Sequence, residues 1–129
     1  MLDVSSELRA WLANQTGITD MFGTRIYAGR YLPPGYIPQQ GPALLFAPRG
    51  GGQDFSSHVL SPSMQFRIYA ETEAGAWAAS KEIYDAANDQ KSRKIIYLRM
   101  EEGTFPQILS EPGTDWPYIL MYFKANFQN

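Results

Sequence analysis

The sequence predicts an α+β domain, a mostly antiparallel sheet packed by two helices. Three observations carry this. Apolar residues recur at helical spacing near the N-terminus and again over residues 73–90, several other segments alternate apolar and polar with period two, and proline and glycine punctuate the joints between them. The 129 residues include 9 Pro and 11 Gly spread along the whole length, so one domain over 1–129 is expected.

The first helix is expected over residues 4–14. Val4, Leu8, Trp11 and Leu12 fall on one face, Asp3 is placed to cap the first turn, and Asn14-Gln15-Thr16-Gly17 supplies the stop. Residues 18–22 read as a short turn of helix started by Thr19 or Asp20 and closed by Gly23. Residues 24–27 are a brief extended piece. The arm over 29–42 follows, where Pro33, Pro34, Pro38 and Pro42 exclude regular structure. A short apolar strand, residues 43–47, is expected to end at Pro48, and a Gly-rich loop over 49–57 to form a flexible hairpin connection.

Residues 58–72 read as a long strand with Met64, Phe66, Ile68 and Ala70 on its buried face. The second helix, residues 73–90, carries a stripe of small and apolar residues, Ala76, Ala79, Ile83 and Ala87, flanked by Trp77 and Tyr84. Two further strands are expected over 94–101 and 105–109. The last, 118–127, has Ile119, Met121, Phe123, Ala125 and Phe127 on one face and Tyr118, Leu120 and Tyr122 on the other. A strand apolar on both faces is covered on both faces. One helix layer supplies one cover; the first helix or a neighbouring subunit would supply the other.

Composition narrows the function classes. Zero Cys removes thiolate chemistry and disulfides, and the single histidine, His58, is the sole centre for a Ser-His hydrolase, with Ser57 or Ser61 as nucleophile. Neighbouring residues in an extended segment point apart, so that arrangement is disfavoured and the chain is expected not to be an enzyme. Glu101 and Glu102 are adjacent near a strand end and point apart in the same way. Glu82, Asp85 and Asp89 share a helical face, but Lys81 and the cations over 91–94 mark it as a solvated face, and no metal or other cofactor is expected. The three glycines after Arg49 lack the Lys-Ser/Thr of a phosphate loop. Eleven Lys and Arg against 13 Asp and Glu give a net charge of -2, with no basic excess for gripping nucleic acid. No run of residues is long and apolar enough to span a membrane, and no basic flank followed by an apolar stretch opens the chain as a signal peptide would.

Aromatics reach 14% while charged residues are 19%, a bias found at interfaces and equally in aromatic cores. The candidate interaction residues are Arg25, Arg30 and Tyr31 around the arm and Arg49, Asp54 and Phe55 at the Gly-rich loop.

The order of several segments resembles a known family. Residues 7–12 (ELRAWL), 17–19 (GIT), 23–27 (GTRIY), the Leu32-Pro33 to Gly35 loop, the Pro42-Ala43-Leu44-Leu45 segment, the strand over 65–70, the Ala-rich helix and the aromatic last strand are similar to tail-terminator, or tail-completion, proteins of long-tailed bacteriophages and prophages. The resemblance implies a homo-oligomeric ring, usually a hexamer, that caps the tail tube in the virion and presents the surface to which the head-tail connector docks. DNA would pass through its lumen without specific binding. The extended 49–63 connection departs from the family pattern. A head-completion or connector ring of the same neck region is the nearest alternative, and a small hydrolase centred on His58 the distant one.

Overall fold

The structure, a computed structural model, describes residues 3–53, 59–88, 96–101 and 105–128. Helices α1 (Val4–Ala13), α2 (Thr16–Phe22) and α3 (Glu73–Asn88) pack against a sheet built from β1 (Ile26–Ala28), β2 (Ala43–Gln53), β3 (Val59–Tyr69), β4 (Ile96–Met100), β5 (Gln107–Ser110) and β6 (Pro117–Gln128). The strand order is β1-β2-β3-β6-β4, with β5 also paired to β6. Among the described residues only β1–β2 is parallel; the other pairings are antiparallel. The α+β class read from the sequence is therefore the observed one.

All three helices lie on one face. Leu8 and Leu12 of α1, Ile18 and Phe22 of α2, and Ala76, Ala79 and Ile83 of α3 join Phe46, Phe66, Ile68, Ile119 and Phe123 of the sheet in one buried cluster. Small residues on α3 let it lie close to the strands, and Phe66 stacks between Phe46 and Phe123 at centroid distances of 5.9 and 4.9 Å. Asp3 caps α1, accepting from the Ser6 backbone N–H, and Thr72 Oγ1 accepts from the N–H of Gly75 at the start of α3.

The opposite face has its own buried cluster, made of Tyr36, Ala43, Leu45, Tyr69 and Tyr118, with Leu32 and Trp116 packed against it. This answers how β6 is covered twice. Its second cover is the Pro-rich arm of the same chain, not α1, which lies on the face α3 also occupies. Both faces of β3 are covered as well, since Tyr69 is buried while Gln65 and Arg67 are half-buried.

Three boundary expectations need refining or correcting. Within the expected stop over 14–17 it is Asn14 that caps α1, while Gly17 sits inside α2, where a Cβ would come within 2.8 Å of Glu82 Oε2. Pro48 does not end β2. The strand continues to Gln53, with Gly50, Gly51 and Gly52 opposite Ser63, Pro62 and Ser61, so the flexible connection expected over 49–57 is strand as far as Gln53. Proline fits there for two reasons: β1 pairs only with Leu44–Phe46, leaving one side of β2 unpaired beyond that point, and the ladder shifts register between Pro48 and Gly50. Third, α2 begins at Thr16, before the start expected at Thr19 or Asp20.

Strands β4 and β5 run in tandem along the same side of β6. Met100 pairs with Phe123 and Gln107 with Leu120, so only Met121 and Tyr122 of β6 lie between the two ladders. The N–H of Glu101 still donates to the Tyr122 carbonyl at 3.0 Å.

Candidate functional site

Side chains on alternate residues of β2 and β3 form the floor of an open groove of about 820 Å³ on the face away from the helices. Leu45 and Ala47, then Gln65, Arg67 and Tyr69, supply that floor. One wall is the arm from Gly29 to Tyr36, and the other is the turn carrying Glu111, Thr114 and Trp116.

The arm is fixed at its far end. Arg25 Nε donates to the Pro42 carbonyl at 2.8 Å, and the Tyr36 hydroxyl donates to the Gly41 carbonyl at 2.7 Å. Gly41 has φ 123°, and a Cβ there would run into the Arg25 guanidinium. The Tyr36 ring stands edge-on to both Tyr27 and Trp116, at 6.5 and 5.9 Å. Burial pushes its phenol up to about 12.

At the floor, the Tyr69 hydroxyl donates to Glu111 Oε2 at 2.7 Å. Burial, and then the bond to the carboxylate, hold this phenol above the ordinary tyrosine range. Tyr69 is thus kept protonated, a hydrogen-bond donor and not a base. Gln65 satisfies its amide with the oxygen toward Arg67, accepting from Nε at 2.9 Å and Nη2 at 3.1 Å, while the Arg67 guanidinium lies 5.6 Å from the Tyr118 ring.

Arg49 forms the groove's end. Its guanidinium stacks 3.8 Å from the Tyr122 centroid, its Nε donates to Ser63 Oγ at 2.9 Å, and its Nη2 lies 3.3 Å from Glu101 Oε2. Ser63 Oγ in turn donates to Glu101 at 2.7 Å.

The groove therefore brings together three of the residues singled out in the sequence, Arg30, Tyr31 and Arg49. Arg25 stands apart, occupied with Pro42 at the arm's root. Asp54, Phe55 and His58 lie outside the described residues, as do Ser57, Asp89, Glu102 and the cations over 91–94. On α3, Lys81 Nζ is 3.0 Å from Asp85 Oδ2 with both exposed, as a solvated face requires, whereas Glu82 is half-buried beside Gly17. Among the described residues, no group of three or more His, Cys, Asp or Glu side chains could hold a metal ion, and no helix is long and apolar enough to cross a membrane.

No family model matches this sequence, and no curated protein is significantly similar to it. The functional reading therefore rests on surfaces. Besides the groove, the helix side carries a second surface that the sequence reading passed over. Trp77 and Tyr84 of α3, with Phe105 and Pro106 ahead of β5, line an apolar cleft of about 510 Å³ floored by Met100 and Met121. Trp77 and Tyr84 are 43% and 44% exposed, and Phe105 is 83% exposed. The available signal was their seven-residue spacing, which places two large aromatics on one side of a helix and outside its core stripe.

Proposed function

We propose that this chain is a structural subunit that assembles into a ring through two unlike surfaces, and that the ring caps a phage tail tube, ends its polymerisation and offers the head-docking surface. The observation that carries the reading is the pairing of two different open surfaces on one small domain. The polar groove with Arg30, Tyr31 and Arg49 lies on one side, and the aromatic cleft with Trp77, Tyr84 and Phe105 on the other. A closed ring needs two unlike lateral surfaces on every subunit, whereas a two-fold dimer reuses one. The resemblance of residues 7–12 and 23–27 to tail-terminator proteins supplies the choice of ring, a homo-oligomer with tail tube and head-tail connector as its axial partners and the virion neck as its location.

Electron microscopy of the purified protein, alone and mixed with tail tubes, tests this. Rings of uniform diameter seated at tube ends are expected. A protein that stays monomeric at every concentration and leaves tube ends bare overturns the reading. Binding to filled heads in preference to tubes would move it to the head side of the neck.

A further inference from the structure

We infer that the groove between the arm and the Glu111 turn binds a short acidic segment of a partner protein, whose carboxylates meet Arg67 on the floor and Arg30 on the wall. The inference rests on the reading of this groove as an interaction surface and names the chemistry of what it takes.

Arg67 carries the argument. Its side chain is half-buried on the floor, on the same face of β3 as Gln65 and Tyr69, and a charge withdrawn from water without a counter-ion costs free energy. Its contacts are neutral. The Gln65 amide oxygen accepts from Nε and Nη2, and the guanidinium lies near the Tyr118 ring. Glu111, the carboxylate lining the groove, accepts from the Tyr69 hydroxyl instead, and the ion pairs among the described residues are Arg49–Glu101 and Lys81–Asp85. Arg67 is thus held in place by neutral groups and left without an ion pair among the described residues. A guanidinium oriented in advance loses little freedom when a carboxylate arrives.

Arg30 repeats the pattern on the arm. It is exposed, lines the groove and makes no hydrogen bond or ion pair with any described residue. Around the groove three guanidiniums, those of Arg30, Arg49 and Arg67, stand against two carboxylates, Glu111 and the Glu101 paired with Arg49. Asp115, on the turn that forms the far wall, does not line it. This positive excess sits on a chain of net charge -2, so an anion is drawn to the groove in preference to the rest of the surface.

Shape and lining choose among anions. The groove is open to solvent, and its volume of about 820 Å³ falls in the range of sites that hold a drug-sized ligand, the bulk of a few residues of chain. Its walls present Tyr31 and Trp116 beside the arginines, and Tyr, Trp and Arg are the side chains that dominate protein–protein contacts. A nucleic-acid strand would run on past the groove over a surface of net negative charge, whereas a short acidic segment ends within it. Inorganic phosphate would meet an arginine and leave the aromatic walls uncovered.

Calorimetric titration of the intact chain at low salt tests this, with blocked tetraglutamate as the probe and tetraglutamine, inorganic phosphate and a short oligothymidylate as comparisons. Tetraglutamate should bind, tetraglutamine should not, and added salt should weaken the binding. Arg67→Gln should weaken it roughly tenfold or more, and Arg30→Gln about two- to fivefold with an unchanged melting temperature. Should Arg67→Gln fail to fold, Arg30→Glu tests the site from the wall and should weaken binding further than Arg30→Gln does. Absence of tetraglutamate binding, equal binding of tetraglutamine, or variants that bind as the wild type does overturns the inference. Tighter binding of phosphate or of the oligonucleotide overturns it as well. Rings seated on tube ends by a chain that does not bind tetraglutamate overturn this inference alone, and tetraglutamate binding by a chain that leaves tube ends bare overturns the ring reading alone.

Discussion

Tyr69 on β3 donates its hydroxyl hydrogen to Glu111 Oε2 at 2.7 Å, tying the floor of the groove to the turn that forms its wall. A hydrogen bond to a charged group contributes about 1.5–3 kcal/mol. Tyr69→Phe keeps the ring packed against Tyr118 and removes the hydroxyl that makes this bond, so urea unfolding at neutral pH should show a loss of about 1.5–2 kcal/mol. A change under about 0.5 kcal/mol would mean the bond merely replaces one to water.

Alkaline pH should weaken the fold through two buried phenols. Tyr36 and Tyr69 both have folded values above the ordinary 10.0. Their contribution is intact below pH 10. Above it the unfolded chain loses these protons first, so stability falls as pH rises toward the folded value, about 12 for Tyr36. Denaturation midpoints across this range should decline, and Tyr36→Phe should decline less steeply. Equal slopes in the two proteins would exclude Tyr36 as a source.

Arg25 and Arg30 lie near the two ends of the arm and should behave differently. Arg25→Ala removes the bond to the Pro42 carbonyl and should cost about 1.5 kcal/mol, or roughly 5 °C in melting temperature. Arg30→Ala, at an exposed position, should leave melting unchanged. Equal effects would mean that the Pro42 bond is not what fixes the arm.

Phe66 is fully buried between two other phenylalanines. Phe66→Ala should cost about 3–5 kcal/mol, a large share of the stability of a domain this size, and Phe66→Leu about 1.5 kcal/mol. Denaturant unfolding checks both, and a smaller loss for Ala than for Leu would show that the helices close over the cavity.

The core was legible because periodicity records it. Met64, Phe66 and Ile68 alternate onto one face, and Ala76, Ala79 and Ile83 follow the helical repeat, so local spacing named the partners before any pairing was known. The place of Pro48 inside β2 is not legible locally because distant residues set it: β1 stops at Ala28, opposite Phe46, and the ladder with β3 shifts register beyond Pro48. In the candidate site, Arg30, Tyr31 and Arg49 could be flagged as interface-type residues, but their common groove depends on the arm folding back over β3, which no local pattern encodes. The same arm explains why Tyr36, buried, and Tyr31, exposed, look alike in sequence: five residues of a proline-rich turn separate a wall of the core from its surface.

The tandem arrangement of β4 and β5 has an evolutionary and engineering consequence. Because β6 fixes the register of each strand independently, the chain between Met100 and Gln107 can lengthen or shorten without shifting a single ladder pair. That connection carries Phe105, a rim of the aromatic cleft. What the cleft recognises can therefore diverge between related chains, or be rewritten by loop grafting, while the sheet that supports it is inherited intact.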